Sequence, residues 1–182
     1  IVTGCRGTVA LSAEVGAIPT LDFTFTGIYN APTDTALPSV TYGNQATPLI
    51  FKNGNTSSFA LLSYAGALQS LSFDIGNSIV YRELVGGTKE VLLTDRAASG
   101  SVTIEAPTMA QKDYFSAALS DTSLGNIQVT HGTAAGNICK FSSTKVDIGD
   151  VSYGEMDGVN MLEIPYTLVP SSANDELTFL FT

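Results

Sequence analysis

The sequence predicts a mainly β protein, a β-sandwich or β-barrel with one flanking α-helix at about residues 108–120. Charged residues make up only 14% of the 182-residue chain, and Thr, Ser, Gly and Asn fill much of the remainder, a balance typical of β architectures. Short segments alternate apolar and polar side chains with the two-residue period of a strand, and one segment has the period of a helix. The 182 residues are enough for one good-sized core, or for one domain plus part of another, and the 44% of hydrophobic residues fits a globular protein.

The first predicted element is a pair of strands, Thr8 to Val15 and Thr20 to Gly27, joined by a short link that contains Gly and Pro. In the second strand Leu21, Phe23 and Phe25 alternate with polar residues, which places them on one face. The pattern predicts a hairpin-like unit.

An extended connection follows the strand pair. Residues 30–55 contain Pro32, Pro38 and Pro48 and have neither a strand nor a helix period, so they are predicted to form a linker. The printed sequence begins with Ile1 rather than Met, and we expect that further chain precedes it.

Two strands with clear alternation form the centre of the predicted sheet. Ser70 to Ile75 and Ser101 to Ala106 each place apolar side chains on one face and hydroxyl or acidic side chains on the other. Between them, Ile79 to Arg82 has strand character, and Glu83 to Ser99 is predicted to be a long, polar, loop-like arm that contacts something outside the domain. The arm residues predicted to make these contacts are Lys89, Val91, Leu92, Leu93, Asp95 and Arg96.

The helix is predicted from a start signal and an apolar stripe. Thr108 and Gln111 have the spacing of a capping box directly after Pro107. Apolar residues then recur at four- and five-residue spacing, so Phe115 and Leu119 are expected to be buried against the strands.

Alternation continues after the helix. Strands are predicted at 126–130, 138–148, 159–169 and 177–182. Pro165 lies within the third of these segments and has no N–H to donate to a ladder, so it is predicted to lie at an edge or a bulge.

The charge and the apolar content exclude several classes of function. The net charge of −9 and the sequence pI of about 4.3 argue against a surface that grips nucleic acid, because such binding draws its affinity from Lys and Arg. An acidic wall beside DNA remains compatible with them, since it repels phosphates and lets a duplex slide past. The longest nearly apolar stretch, Phe59 to Leu68, is about half the roughly 20 residues that a spanning helix needs, so no membrane segment is predicted. Cys5 and Cys139 are predicted to be free, buried thiols.

Candidate catalytic and metal-binding residues are few. His131 is the single histidine and is predicted to pack in a turn or in the core rather than to act as a base. Asp147, Asp150, Glu155 and Asp157 could suggest a calcium site, but their spacing does not match the regular EF-hand loop. No Ser-His-Asp constellation or acid/base pair stands out, so we predict a non-enzyme without metal or cofactor.

Several segments resemble the major tail tube proteins of long-tailed, siphovirus-type bacteriophages, and together they cover nearly the whole chain. They are TGCRGTV (3–9), YNAPTDTALP (29–38), SLSFDIGNSIVYRELVGG (70–87), LLTDR (92–96), GSVTIEAP (100–107) and SYGEMDGV (152–159). The resemblance implies a tail-tube-type β fold and a structural protein of the virion tail, made in the host bacterial cytoplasm.

The resemblance also implies a mode of action. Subunits would join into rings of three or six copies, and stacked rings would conduct DNA during ejection without binding it specifically. Further partners would be other tail proteins such as the tape measure and the tail terminator, with no membrane involved. The residues then expected to face the lumen are Ser70, Ser72, Asp74, Ser101, Thr103 and Glu105. The alternative interpretation is a β-sandwich adhesion or capsid-decoration module.

A domain division follows from an internal similarity, because Cys5-Arg6 and Cys139-Lys140 are each followed by a strand, a Gly-containing link and a second strand. Residues 1–30 are predicted to be the closing strands of an upstream tube-type domain, 31–56 an extended linker, and 57–182 a tube-type domain with one helix and a C-terminal strand. Two such domains per chain would make a trimeric ring pseudo-hexameric. A single domain of 182 residues in a true hexamer is the alternative.

Overall fold

The computed structural model describes residues 1–41, 43, 46–120 and 124–182. Over these residues the chain forms a curled ten-stranded sheet, shaped like a half-barrel, beside a two-stranded sheet and one short helix. The predicted mainly β fold with one helix is therefore confirmed. The elements are β1 (Val2–Glu14), β2 (Thr20–Tyr29), β3 (Thr56–Leu61), β4 (Leu68–Asp74), β5 (Asn77–Arg82), β6 (Glu90–Arg96), β7 (Ser99–Glu105), α1 (Tyr114–Ala118), β8 (Gly125–His131), β9 (Cys139–Ile148), β10 (Ser152–Met156), β11 (Val159–Leu168) and β12 (Thr178–Phe181).

The strand order shows which segments share the large sheet. Its strands lie in the order β2-β1-β4-β7-β11-β9-β8-β3, while β10 pairs with β11 and β12 pairs with β9. β1 pairs with β4 from Ala10 to Glu14, so the first two strands belong to the same sheet as the later ones. The division into a strand pair at 1–30, a linker at 31–56 and a tube-type domain at 57–182 stays a prediction.

The sheet divides where β11 changes its partner. β10 pairs with β11 from Val159 to Glu163, and β9 pairs with it from Tyr166 to Leu168. Pro165 lies between these stretches, and its carbonyl accepts a hydrogen bond from the Gly149 N–H at 2.8 Å. Because the N and the C=O of a strand residue point to the same side, the missing donor of Pro165 faces this gap. The proline therefore takes no hydrogen bond away from the β7–β11 ladder.

The core lies on the inner side of the curl. The rings of Phe73 on β4 and Phe141 on β9 stack with centroids 4.7 Å apart, which joins two strands that are not neighbours in the sheet. Other fully buried core side chains are Leu61, Leu71, Val102, Ile104, Ile127, Val146 and Ile164. This contact across the half-barrel holds the curl closed.

The helix is shorter than predicted and starts at a different cap. α1 begins at Tyr114, and its N-cap is Asp113, whose carboxylate accepts hydrogen bonds from the Ser116 N–H at 2.9 Å and from the Ser116 hydroxyl at 2.6 Å. Thr108 and Gln111 do contact each other, as the Gln111 side-chain oxygen accepts from the Thr108 N–H at 2.9 Å, but they form a turn before the helix. The predicted cap at Thr108 is wrong because the Asp113 carboxylate captures the first turn instead.

The burial of the helix also differs from the prediction. Tyr114 is completely buried, whereas Leu119 is 88% exposed because the helix ends at Ala118. Phe115 is half-buried, with its ring 5.2 Å from that of Tyr153 on β10. The expectation of burial is thus wrong for Leu119 and only partly right for Phe115.

The arm predicted at residues 83–99 is not loop-like throughout. β5 and β6 pair as an antiparallel hairpin, and only 83–89 connects them. The sequence did not predict β6 as a strand because Glu90, Asp95 and Arg96 give this segment a polar character. A two-stranded sheet leaves much of its surface in water and so accepts charged residues that a central strand would not.

Two further strands, β3 and β10, escaped prediction. β3 was missed because Phe59, Ala60 and Leu61 are buried consecutively instead of alternating. β10 was missed because all of its residues are exposed and no apolar face marks it. Where the structure describes residues 30–50, it contains neither helix nor strand.

Both cysteines are free, as predicted, but only one is shielded. Cys5 is exposed and lies at an irregularity of β1 between Thr3 and Arg6, so its predicted burial is wrong. Cys139 is half-buried, and burial raises the pKa of its thiol. Within the described ranges, no helix has the length and apolar character needed to cross a membrane.

Candidate functional site

Six neighbouring strands of the large sheet, β2, β1, β4, β7, β11 and β10, share one polar face. Residues directly opposite each other in an antiparallel pair point to the same side, so the register defines rows of adjacent side chains. Three such rows are Thr20, Ser12, Ser72, Ser101 and Pro165; Asp22, Ala10, Asp74, Ser99 and Thr167; and Glu14, Ser70, Thr103, Glu163 and Ser152. These side chains, together with Glu105 on β7, are called the polar face below.

The six residues predicted to face a lumen all lie on the polar face. They are Ser70, Ser72, Asp74, Ser101, Thr103 and Glu105. The side chains that alternate with them, such as Leu71 and Val102, are buried in the core. The alternation therefore separated the two faces correctly, while the channel role of the outer face stays a prediction.

Hydroxyl groups and one carboxylate link neighbouring strands of the polar face. The hydroxyls of Ser72 and Ser101 lie 3.0 Å apart. Asp74 Oδ1 accepts hydrogen bonds from the Thr8 hydroxyl at 3.0 Å and from the Gly76 N–H at 2.8 Å. Asp74 therefore fixes the turn that leaves β4 as well as adding charge to this surface.

The charge of the polar face is mainly negative. Its acids are Glu14, Asp22, Asp74, Glu105 and Glu163, and all of them are exposed. Arg6 lies on the same side near the start of β1, opposite Thr26. Such a surface is well wetted and repels phosphate groups over most of its width.

The two outer strands of this six-stranded part run in opposite directions. Each strand is antiparallel to the next, so β2 at one edge and β10 at the other are antiparallel to each other. Among the described residues, β2 pairs only with β1, and β10 pairs only with β11. Long edges with unpaired backbone groups are templates for pairing with another chain.

Exposed aromatic side chains lie on the core side of both edges. On β2 the rings of Phe23 and Phe25 are nearly parallel, with centroids 6.1 Å apart, and are 59% and 66% exposed. On β10 Tyr153 is 67% exposed beside Phe115. Each edge thus carries an apolar strip that the chain itself leaves in water.

The β5–β6 hairpin rests on the first half of β1. The Ile75 N–H donates to the Val9 carbonyl at 3.1 Å, and the Asn77 side-chain amide donates to the Gly7 carbonyl at 2.8 Å. From Ile75 to Asn77 the partner on β1 changes from Val9 to Gly7, so the hairpin leaves β4 in the direction of Val2.

An ion pair with one buried partner holds the other strand of the hairpin. The Arg96 Nε lies 2.5 Å from a carboxylate oxygen of Glu176, whose side chain is only 8% exposed. The same guanidinium donates to the Asn174 side-chain oxygen at 2.9 Å. The segment before β12 is therefore fastened to the base of the hairpin.

The residues predicted to make contacts from the arm lie in different surroundings. Val91 is buried within the chain, Leu92 is half-buried, and Leu93 is exposed. Asp95 is exposed and accepts a hydrogen bond from the Arg96 N–H at 2.8 Å. Lys89 lies at the connection between the strands. Their role between subunits stays a prediction.

The tip of the hairpin combines an ionic brace with exposed aliphatic side chains. Glu83 receives hydrogen bonds from Lys89 and from the Tyr81 hydroxyl, each at 2.8 Å, and in that order of importance they lower the pKa of its carboxyl group. Just beyond this brace, Leu84 is 55% exposed and Val85 fully so.

The candidate base packs as predicted. His131 ends β8 with Nε2 3.1 Å from the Leu49 carbonyl and Nδ1 3.1 Å from the Thr56 hydroxyl, and its ring lies against Phe51. A carbonyl only accepts, so Nε2 carries the proton and both ring nitrogens have partners. In the described part of the chain, no three His, Cys, Asp or Glu side chains converge on a possible metal position.

Sequence reasoning missed features that depend on pairing between strands. Glu14 and Asp22 lie on the polar face only because of the register of β1 with its neighbours. The edge at β10 carries no alternation, so its one signal was the Gly-containing turn before β11. Nothing local indicated that Glu176 would be buried against Arg96.

Comparison with known proteins gives one result. The family model described as "Phage tail tube protein" matches residues 2–168, nearly the whole chain. A search of curated proteins gave no significant match.

Proposed function

The chain belongs to the phage tail tube protein family, and from this we propose that its copies join edge to edge into rings that stack into a DNA-conducting tube. The family is one of structural proteins of the virion tail, and the chain is a structural protein of that kind. Its partners in the proposal are other copies of itself, in rings of three or six, and further tail proteins such as the tape measure and the terminator.

The observation that carries the proposal is the pair of antiparallel edges. When β10 of one copy lies beside β2 of the next, the alternation of strand directions continues without a break. Such a head-to-tail contact uses two different surfaces, so it closes into a ring when the rotation between copies allows it. An adhesion module would instead be expected to blunt its edges.

The side chains at the two edges fit the same joint. The sheet would continue from copy to copy, so Tyr153 of one copy and Phe23 and Phe25 of the next would meet on the core side. Aromatic pairs of this kind add to the apolar burial that drives association. On the opposite side the polar faces would merge into one acidic inner wall.

That wall would pass DNA without holding it. The small hydroxyl side chains keep the surface wet, and the acids repel phosphates on all sides. The hairpin runs beside β1 toward the Val2 end of the sheet, and in the proposal its connecting segment contacts the stacked ring. The chain performs no catalysis in this proposal.

The test is electron microscopy of the purified chain and of one edge variant. We expect rings or tubes from the unchanged chain, and none from a Phe23→Lys, Phe25→Lys variant, because two ammonium groups would be buried at the joint. The matched control is Ser57→Lys, Gln128→Lys, which adds two charges at exposed positions on β3 and β8, neither of which is an edge of the proposed joint. Monodisperse monomers from the unchanged chain, or normal tubes from the Phe23/Phe25 variant, would refute the edge assignment.

A further inference from the structure

We propose that the hairpin tip of one copy, Leu84 and Val85, inserts into an apolar groove of the copy stacked above it. The inference rests on the proposed function, because it concerns contacts between stacked copies. It identifies the receiving surface for the tip as a groove between the two ends of the half-barrel.

The groove has the chemistry that aliphatic side chains need. Its volume is about 260 Å³. Its apolar wall includes Leu11, Ala13, Leu21, Phe51, Phe141 and Phe179. An apolar cavity of roughly 150 Å³ is already large enough to bind benzene. The groove therefore has room for two aliphatic side chains, and most of its lining is apolar.

The rim of the groove is open to solvent. Ile18 and Phe181 are 52% and 66% exposed at its edge, although both are apolar. A monomer gains nothing from leaving such a groove and such a rim in water. The groove and its rim therefore form a surface on which an apolar segment of another copy can dock.

The tip is shaped to enter a groove. Its two strands are braced by ion pairs from Arg82 to Glu90 and from Lys89 to Glu83. The turn itself closes with a hydrogen bond from the Gly87 N–H to the Leu84 carbonyl at 3.1 Å. Because β5 pairs with β6 up to Arg82 and Glu90 and the turn is closed by its own hydrogen bond, the tip loses less conformational freedom on docking than an open loop would.

The tip and the groove lie at opposite ends of the sheet. The hairpin leaves β4 at Asp74 and extends beside β1 toward Val2. The groove is lined by Ile18 and Pro19, from the β1–β2 turn, which lies at the other end because Glu14 pairs with Ser70 near the start of β4. Copies stacked along the strand direction therefore place the tip of one beside the groove of the next.

The chain supplies its own chemical probe of this contact. Cys139 lines the groove, and Cys5 is the other thiol. In a Cys5→Ser chain, a Val85→Cys substitution would bring a second thiol to Cys139 of the stacked copy. Oxidation of assembled tubes with copper phenanthroline should then give a ladder of disulfide-linked oligomers on a non-reducing gel.

The controls separate this contact from chance collisions. The ladder should vanish when Cys139→Ser is added, and it should be at least tenfold weaker when the new cysteine replaces Leu119 instead of Val85. A second variant, Leu84→Cys, repeats the test from the neighbouring position. A ladder from Leu37→Cys, at an exposed residue of the 30–50 connection, with none from either tip variant, would assign the groove to that connection and overturn the inference.

A measurement without any change at the tip completes the test. In the Cys5→Ser chain, maleimide labelling of Cys139 should be at least tenfold slower in tubes than in monomers. Equal labelling rates in the two states, or well-formed tubes without a ladder from either tip variant, would overturn the inference and leave the proposed tube intact. Failure of the Cys5→Ser chain and of the unchanged chain to form any rings or tubes would instead refute the proposed function, and the inference with it.

Discussion

Tyr114 is the residue on which the packing of the helix depends. It is completely buried, its hydroxyl donates to the Leu61 carbonyl at 3.2 Å, and its ring meets that of Tyr64 at an angle of 81°. Burial raises the pKa of Tyr114, so the hydroxyl remains a donor at neutral pH. The residue thus joins α1 to β3 by both an apolar contact and a hydrogen bond.

The free energy of unfolding should therefore fall more when the whole ring of Tyr114 is removed than when only its hydroxyl is removed. We expect Tyr114→Ala to lower the free energy of unfolding by about 3–5 kcal/mol, measured by chemical denaturation. Tyr114→Phe should cost only about 1 kcal/mol, because the Leu61 carbonyl also accepts from the Tyr64 N–H at 3.0 Å and keeps a partner. Leu119→Ala is the control and should change stability by less than about 0.5 kcal/mol. Equal losses at positions 114 and 119 would contradict the observed packing.

The difference between Tyr114 and Leu119 shows what a local pattern leaves undecided. The apolar stripe predicted a helix near the right place, but stripe spacing alone does not say where the helix starts or stops. Its start is set by competition for hydrogen bonds. Gln111 closes a turn onto Thr108, and the carboxylate of Asp113 then offers a stronger cap three residues before Ser116.

At the scale of single elements, the hairpin is held more firmly at its base than along its surface. The Arg96–Glu176 pair has one partner almost fully buried, whereas the side chains of Arg82 and Glu90 are 48% and 35% exposed. Breaking a buried pair leaves a charge without compensation, while exposed pairs contribute little.

Arg96→Met should therefore destabilise the chain by about 1–3 kcal/mol, less than the loss of a fully buried pair because Arg96 keeps partial contact with water. Arg82→Met is the matched control and should cost less than about 1 kcal/mol. Both are measured by chemical denaturation, with hydrogen exchange of β5 and β6 as a second readout. Similar losses from the two variants would show that Glu176 finds other partners when Arg96 is removed.

The elements differ in how visible they were in the sequence. β4 and β7 have one face on the core and one in water, so their alternation predicted both strands and both faces. β3 is buried along three successive residues and β10 is exposed along its whole length, so neither carries a period. The hairpin strand β6 is paired on one side only, and its stability comes from contacts with β1 and Glu176 that no local window contains.

At the scale of the whole molecule, the register between paired strands decides which side chains are neighbours. Two rows of side chains cross the sheet from β2 to β11, and a third runs from β1 to β10. Because the six-stranded part contains an even number of antiparallel strands, its edges are suited to head-to-tail joining. Alternation within each strand predicted the composition of the polar face, but the neighbours of each residue are set by pairings between distant segments.

The acidic wall can be tested at Glu105 and Glu163, which are exposed on neighbouring strands of the polar face. Asp74 is less suitable because its carboxylate also holds the turn at Gly76. In particles that carry Glu105→Lys and Glu163→Lys, tubes should form normally while DNA ejection slows. The two new ammonium groups would pair with passing phosphates in every ring.

Salt and a matched variant separate this effect from a defect of assembly. The slowing should ease as ionic strength rises, because screening weakens each phosphate contact, and Glu105→Gln with Glu163→Gln should have a smaller effect than the Lys variant. Asp34→Lys with Asp150→Lys makes the same change in net charge at exposed positions outside the rows of the polar face, and it should leave ejection unchanged. Ejection that is equally fast in all variants at low salt would mean that the polar face does not line the channel. A loss of tubes in the Glu105/Glu163 variant alone would mean instead that these carboxylates lie between subunits.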